Sequence, residues 1–548
     1  MKTILGASLV NCVHVAGIYR FLSLAEQYGY QSRFLGPAIP IEKLIEAIKE
    51  EKPERVIVGY RLSEEAAQNI FQELKEALQK NQLLGKFVLI LSCTPALENV
   101  ARQTGIFDYI FTGKEHFEEI VESITGKKES SPEEKYPPTL PERIKAKSPF
   151  PLLRHHFGLP SLSETIEGVA QISEARVIDI ISLGPDQNAQ EFFFQPHLMN
   201  EEKKGAGGVP LRRPEDLKKI YEASRRGNFP LLRCYSGTNN LVEWAHLLKE
   251  TINIAWGAVP LMWYSKLDGR SQRSLSAAIQ ENQEAMKAYA SLGVPLEVNE
   301  SHQWSLRDAP DSVAAATFYL AAYNAKKAGA RHYIAQYMLN TPAGISPQAD
   351  LAKMLAKSEL IKELEGEDFT IFTQTRGGLA HFSVDLNVAK GQLGASTFLG
   401  LFLQPQIIHV VGFCEADHLA HPEEVIESAQ IVEGVIKDAL FGLPQVEFDP
   451  VIIENKERIK REAKLVLEVI KKIGEKEEDP WASPQVLTQA VEEGILDAPH
   501  LLGNPHAPGK VKTRIINGFL RVVNERGEPI EEEERLNPII QRLRLESL

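Results

Sequence analysis

Cysteine is scarce: 548 residues hold four, Cys12, Cys93, Cys234 and Cys414, and none belongs to a Cys-x-x-Cys pair. Neither a disulfide framework nor a thiolate zinc site is indicated, and a reducing, cytoplasmic compartment is expected. Positive charge is also short. Lys and Arg number 61 against 74 Asp and Glu, for a formal net charge of −13, so neither nucleic acid nor a membrane is an expected partner. Long apolar runs are missing as well. The opening MKTILGASLV is followed at once by Asn11, His14 and Arg20, which suits a first strand and not a signal peptide or a membrane span. What the chain does have is 43% hydrophobic and 25% charged residues, a globular composition, and a length beyond what one hydrophobic core supports.

Residues 1-126 alternate short apolar strands with helical stretches. TILGASLV, QSRFLG, RVIVGY, KFVLILS and YIFTG are separated by IYRFLSLAEQYGY, PIEKLIEAIKEE, a helix at about 64–80, ALENVARQTG and EHFEEIVESI. Five strands joined by right-handed crossovers predict an α/β domain of the flavodoxin-like, doubly wound kind, with its ligand at the carboxyl ends of the strands. Residues 127-148 combine several prolines with many charges and no apolar period, the composition of a linker. Eight further strand-loop-helix units then run from RVIDIISLGPDQN to VEFDPVIIE. They predict a (β/α)8 TIM-type barrel within 149-478, its strands lying over about 165 to 475, with a second open sheet as the alternative. Residues 479-548 read as a mixed, charged appendage packing on the barrel.

In a barrel the site is built from the loops that follow the strands, and those loops are rich in polar groups. Arg233, Arg270 and Arg376 end three different strands and offer planar donors for carboxylates, so a small carboxylate or amino acid is the expected substrate. Asn299 and Gln336 add neutral hydrogen-bonding groups. Glu300, beside His302, suits a general base or a clamp on a substrate amine, and equally a pair that caps the next helix. Glu415, Asp417, His418 and His421 are oxygen and nitrogen donors crowded into one loop, without the spacing of a known metal signature. In the first domain, Cys12-Val13-His14-Val15-Ala16-Gly17 places one His and one Gly where the first strand hands over to a helix. Its bare reading is either a solvated, helix-flanking histidine or a ligand loop.

Residues 1-126 as a whole resemble the cobalamin-binding domain of glutamate mutase and methylmalonyl-CoA mutase. That domain carries an Asp-x-His-x-x-Gly loop, then Ser-x-Leu and Gly-Gly at later strand ends. The resemblance implies that His14 is the axial ligand of the cobalamin cobalt, Gly17 the loop glycine and Leu62 the leucine of Ser-x-Leu. Cys12 stands where the family has its aspartate, Tyr60 where it has serine, and Ser92-Cys93 where it has Gly-Gly; Asn11 is the alternative partner for His14. The barrel resembles the large component of glutamate mutase in stretches: Gly207-Gly208-Val209-Pro210-Leu211-Arg212, Pro260-Leu261 with Asp268-Gly269-Arg270, and the tail GILDAPHLLGNPHAPGK. Tyr264 falls where that family places a carboxylate-binding arginine.

The resemblance implies an adenosylcobalamin-dependent radical isomerase, a mutase of the glutamate mutase type, with the small component fused ahead of the large one. Glu300, His302 and Tyr264 would then serve the reacting part of the substrate, and Arg233, Arg270, Arg376, Asn299 and Gln336 would hold it. A homodimer is the expected state. Two alternatives stand beside this: an aminomutase that also uses pyridoxal phosphate, for which no Schiff-base lysine can be named, and a corrinoid-binding or methyl-transfer protein without mutase activity.

Overall fold

The computed structural model describes residues 2–126, 135–235, 237–439 and 442–545. The chain forms two compact units, Met1–Ser131 with Ile436–Leu443 and Pro132–Val435 with Pro444–Leu548.

The first unit is built on five parallel strands, β1 (Thr3–Ser8), β2 (Gln31–Phe34), β3 (Arg55–Gly59), β4 (Val88–Ser92) and β5 (Tyr109–Phe111), in the order β2-β1-β3-β4-β5. All five are those read from the sequence. The three central strands are almost wholly buried, as strands covered by helices on both faces must be, whereas β2 at one edge is only half covered. The order reverses between β1 and β3, and open α/β sheets bind ligands at the carboxyl ends of the strands beside such a switch point. Register sets Ser8, Gly59 and Ser92 side by side on that rim. Ile18, on the helix Ala16–Gln27, packs down between the strands: a Cβ added at Gly6 or at Gly59 would meet it at 2.7 Å.

The second unit carries eight parallel strands: β6 (Leu152–Phe157), β7 (Ile180–Leu183), β8 (Leu231–Cys234), β9 (Gly257–Val259), β10 (Leu296–Val298), β11 (His332–Leu339), β12 (Thr370–Gly377) and β13 (Ile407–Val410). Their order, β8-β7-β6-β13-β12-β11-β10-β9, is that of a (β/α)8 barrel nearly closed on itself. At the remaining seam the Ala255 N–H donates to the Leu232 carbonyl at 2.8 Å.

Two expectations are corrected here. The first barrel strand is Leu152–Phe157, ahead of the stretch assigned to the barrel strands; its Arg154, His155 and His156 interrupt any apolar pattern and so hide it. VEFDPVIIE, expected as the eighth strand, is instead a short 3-10 turn, Val446–Phe448, leading into the helix Pro450–Ile473. Asp449 caps that helix, accepting from the Val451 and Ile452 N–H groups, and Pro450 occupies its first turn, an Asp-Pro start signal that outweighs the β-branched residues.

The second half of the expected linker also belongs to the barrel; 127–134 lie outside the described residues. The helix Leu140–Lys147 closes the amino-terminal end of the barrel, with Leu140 packed among Leu152, Ile180, Leu231, Trp256, Ile334 and Ile407. Arg143 donates to the carbonyls of Asn228 and Phe229. Beyond the barrel, the helix Pro484–Glu492, the hairpin β14 (Thr513–Ile516) and β15 (Phe519–Val522), and the helix Glu532–Arg542 form the tail. It packs on the barrel: Trp481 stands edge-on to Tyr319 and Tyr323, and Asn504 donates to the Leu267 carbonyl at 2.8 Å.

Candidate functional site

The middle of the barrel is unusual for its polarity. Interior layers of such barrels are filled mainly by bulky branched residues, yet here Arg154 of β6, Ser182 of β7, Arg233 of β8, Glu297 of β10, Gln374 of β12 and His409 of β13 are all buried. Glu297 is the one carboxylate among them. It accepts from the Trp256 indole at 2.6 Å and lies 3.5 Å from Arg233 and 3.8 Å from Arg154. Arg154 is further held by Ser182 at 2.7 Å and donates to Nε2 of His156 at 2.8 Å. Burial, with Arg233 beside it, pulls the Arg154 guanidinium down to about 9. Burial, with Arg154 and Arg376 near both and Arg233 near His156, holds His156 and His409 well below the ordinary histidine value, so both are neutral.

Above this layer, at the carboxyl ends of the strands, opens a cavity of about 320 Å³. Its walls carry Arg154, Arg270 and Arg376 as cations and Glu297 as the single carboxylate. Tyr235, Tyr264, Asn299, His302, Gln303 and Gln336 supply neutral polar groups, and Leu306, Met338 and Leu379 an apolar side. The volume suits a small, compact molecule.

His302 is kept neutral, its imidazole driven down to about 3 by burial and by Arg376. A chain of hydrogen bonds also runs to its ring. Arg154 donates to Gln374 Oε1 at 2.9 Å, Gln374 Nε2 donates to Gln336 Oε1 at 3.1 Å, and Gln336 Nε2 lies 3.4 Å from His302 Nδ1. A guanidinium can only donate, so it orients both amides toward His302 Nδ1. Gln303, its Oε1 accepting from Arg307 at 3.2 Å, sets its own Nε2 3.5 Å from His302 Nε2, so an amide N–H group faces each ring nitrogen.

The loop after β9 is held from two sides. Asp268 accepts from the N–H groups of Tyr264 at 3.2 Å and Ser265 at 3.1 Å. Tyr264 adopts a left-handed backbone, φ 59°, a conformation that non-glycine residues keep only where the surroundings enforce it. Its phenol, pushed up to about 12 by burial, stays protonated, and the Arg270 guanidinium lies 5.2 Å from its ring centre. Glu300 supplies the other support. Its carboxylate accepts from the N–H groups of Leu261 at 2.9 Å and Met262 at 3.0 Å and from the Trp304 indole at 2.8 Å. It is fully buried, does not line the cavity, and burial raises it to about 7.

Of the barrel residues read from the sequence, the structure therefore brings Tyr264, Arg270, Asn299, His302, Gln336 and Arg376 to one cavity. Arg233 lies beneath it, under the Tyr235 ring at 4.8 Å, and Glu300 behind it. Arg154, Tyr235 and Glu297 went unread. A basic run inside LLRHHF and a carboxylate in the apolar VPLEV were the signals available.

In the first unit His14 is exposed, just beyond the end of β1. Its Nδ1 is 3.6 Å from the Sγ of the buried Cys12, which leaves Nε2 as the outward nitrogen. Gly17 sits against Ser92: a Cβ there would come within 2.7 Å of the Ser92 Oγ. Tyr60 is buried, its N–H bonded to the Ser92 carbonyl at 3.0 Å, while Leu62 is exposed. Cys93 is buried, its thiol pushed up to about 11 by that burial and by Glu115. The loop thus offers one free imidazole nitrogen above a glycine-lined rim, which fits an axial ligand to a flat metal-centred cofactor.

No known family profile and no curated protein matches the chain. Among solved structures, a cobalamin-binding protein from Desulfitobacterium hafniense DCB-2 is 27% identical over 20% of this chain and 52% of its own, at a TM-score of 0.19. The methanol:cobalamin methyltransferase complex MtaBC from Methanosarcina barkeri is 19% identical over 20% of this chain and 42% of its own, at 0.18. MurG from Acinetobacter baumannii is 11% identical over 55% and 86%, at 0.15. The chain spans about half the length of the cobalamin-binding protein it matches. Among the described residues no helix is long and apolar enough to cross a membrane.

Proposed function

We propose that this chain is a cobalamin-dependent enzyme of the glutamate mutase type, an isomerase that takes a small carboxylate in the barrel cavity and holds the corrinoid on its flavodoxin-like unit. The observation that carries the reading is the exposed His14, placed beside the β1/β3 switch point with one nitrogen against Cys12 and the other free. The solved structures above, at their coverage and TM-scores, add no weight to it.

Adenosylcobalamin supplies a carbon radical when its cobalt–carbon bond breaks. His14, Gly17 and Ser92 would hold the cofactor, with Cys12 where a more basic partner would strengthen the axial imidazole. The barrel residues do the rest. Arg376 and Arg270 offer bidentate donors to carboxylates, Arg154 lies deeper with Glu297 facing it, and His302 adds a neutral imidazole to the wall. An amine on the substrate would find its counter-charge in Glu297. Tyr264, held protonated, donates and does not act as a base.

Electron paramagnetic resonance of the Co(II) form with 15N-labelled histidine tests the reading. Expected is a splitting from histidine nitrogen that vanishes in His14→Ala; splitting from the cofactor's own benzimidazole, or unchanged corrinoid affinity in that variant, sinks it. Arg376→Lys, which loses a bidentate contact worth about 1.5–3 kcal/mol, should weaken carboxylate-triggered cobalt–carbon cleavage. Tight corrinoid binding with no cleavage under any carboxylate would leave a methyl-transfer or carrier protein in place of the mutase.

A further inference from the structure

The loop that follows β13 brings together donor atoms that neither the corrinoid nor the cavity uses. Cys414, His418 and Glu424 each present one ligand atom, and the three atoms lie within 4.8 Å of one another. They are not the set suggested by the loop's sequence. Glu415 is engaged by the Gly412 N–H at 2.7 Å and faces His155 at 3.7 Å, and His421 contributes its backbone N–H to Glu424 Oε2 at 2.9 Å. That bond fixes the Glu424 carboxylate and leaves Oε1 turned toward His418 Nε2, 3.8 Å away. Asp417 accepts from His418 Nδ1 at 2.8 Å, the carboxylate–imidazole pairing that orients histidines toward metals and raises their basicity.

Charge points the same way. Three carboxylates, Glu415, Asp417 and Glu424, surround one thiol and one imidazole, and no lysine or arginine forms an ion pair with any of them among the described residues.

We propose that Cys414, His418 and Glu424 bind one divalent cation of the zinc class at the carboxyl end of the barrel, with Asp417 orienting the imidazole. One sulfur, one nitrogen and one oxygen suit a borderline ion and leave a fourth position for water. Ligand atoms around a tetrahedral zinc stand roughly 3.3–3.8 Å apart, so closing the set asks for rotation of two partly exposed side chains, His418 and Glu424, onto a fixed cysteine. The ion would tie the β13 loop to the first turn of the helix Pro422–Ala439.

The test uses the full chain, prepared without corrinoid and freed of metal with a chelator, then titrated with Co2+ as a spectroscopic stand-in for zinc. Expected are one equivalent per chain, thiolate-to-cobalt charge-transfer absorption, and proton release on binding. His418→Ala should weaken binding about 100-fold or more, Asp417→Asn roughly 10–100-fold, and Cys414→Ser should abolish the charge-transfer band. Glu424→Gln keeps an acceptor for the His421 N–H, and so tests the site even if Cys414→Ser fails to fold. Substoichiometric binding, a charge-transfer band that survives in Cys414→Ser, or affinity unchanged in both His418→Ala and Glu424→Gln overturns the proposal. Because corrinoid is absent throughout, these outcomes are independent of whether His14 binds cobalt.

Discussion

Glu297 Oε2 lies 3.5 Å from Arg233 Nη2, and none of the Arg233 side-chain nitrogens makes a hydrogen bond among the described residues. Both side chains are fully buried. The guanidinium is held instead between the rings of Tyr235 at 4.8 Å and Trp256 at 5.3 Å. Glu297 is thus the shared counter-charge of Arg233 and Arg154, and the barrel interior stays net cationic.

Removing that counter-charge should be costly. Glu297→Gln leaves two buried guanidinium groups uncompensated and is expected to lower stability by roughly 3–5 kcal/mol, measured by denaturant unfolding. Small dicarboxylates should then raise the melting temperature of the variant more than that of the parent, because an anion replaces the lost charge. A loss under about 1 kcal/mol, no more than an ordinary substitution costs, would show that Glu297 does not neutralise the pair.

His302 should be neutral from pH 5 to 8. Its imidazole is lowered to about 3, so protonation costs native stability only as the pH falls from the ordinary histidine value toward that point. Long-range proton–nitrogen correlation of a histidine-labelled sample reads the protonation state directly. An imidazole carrying two protons at pH 5 would refute the assignment.

Glu300 makes the opposite pH prediction. Raised from 4.5 to about 7, it binds a proton in the folded state that the unfolded chain has released, so its contribution to stability falls as pH rises through that window. Relative to Glu300→Gln, the parent should therefore lose up to roughly 3 kcal/mol between those pH values. Parallel pH–stability curves for the two proteins would refute the assignment.

Cys12 is a weak partner for His14 at 3.6 Å. A carboxylate there should make the imidazole more basic, so Cys12→Asp is expected to raise corrinoid affinity about tenfold and to increase the fraction bound with the benzimidazole displaced, as read from the visible spectrum. Unchanged affinity and spectrum in a folded variant would show that the thiol does not govern the ligand.

Much of the architecture was legible because it is written in local periodicity. Continuous apolar runs such as RVIVG and VLILS can only be covered strands, and residues that follow a strand in a barrel are carried to its open end. That is why Tyr264, Arg270, Asn299, His302, Gln336 and Arg376 could be placed without coordinates. The two missed elements mark the limit of that reading. LLRHHF lost its strand pattern because Arg154 and His156 turn into the polar barrel interior while His155 between them faces Glu415, and VEFDPVIIE looked extended because its β-branched residues hide an Asp-Pro helix start.

Glu297 and Glu300 show what tertiary structure alone decided. Both come from VPLEVNE, and only Glu300 was read from the sequence as a candidate to face a substrate. Closure of the barrel put Glu297 on the inward side of β10, between Trp256 of one neighbouring strand segment and the arginines across the interior. Three residues later the strand has ended, and the Glu300 carboxylate folds back onto the N–H groups of Leu261 and Met262. The chain determined that two carboxylates would lie at this barrel end. Which one meets the cavity depends on strand length, register and the hydrogen bonds left unmet by the adjacent loop, and those exist only once the eight strands have closed.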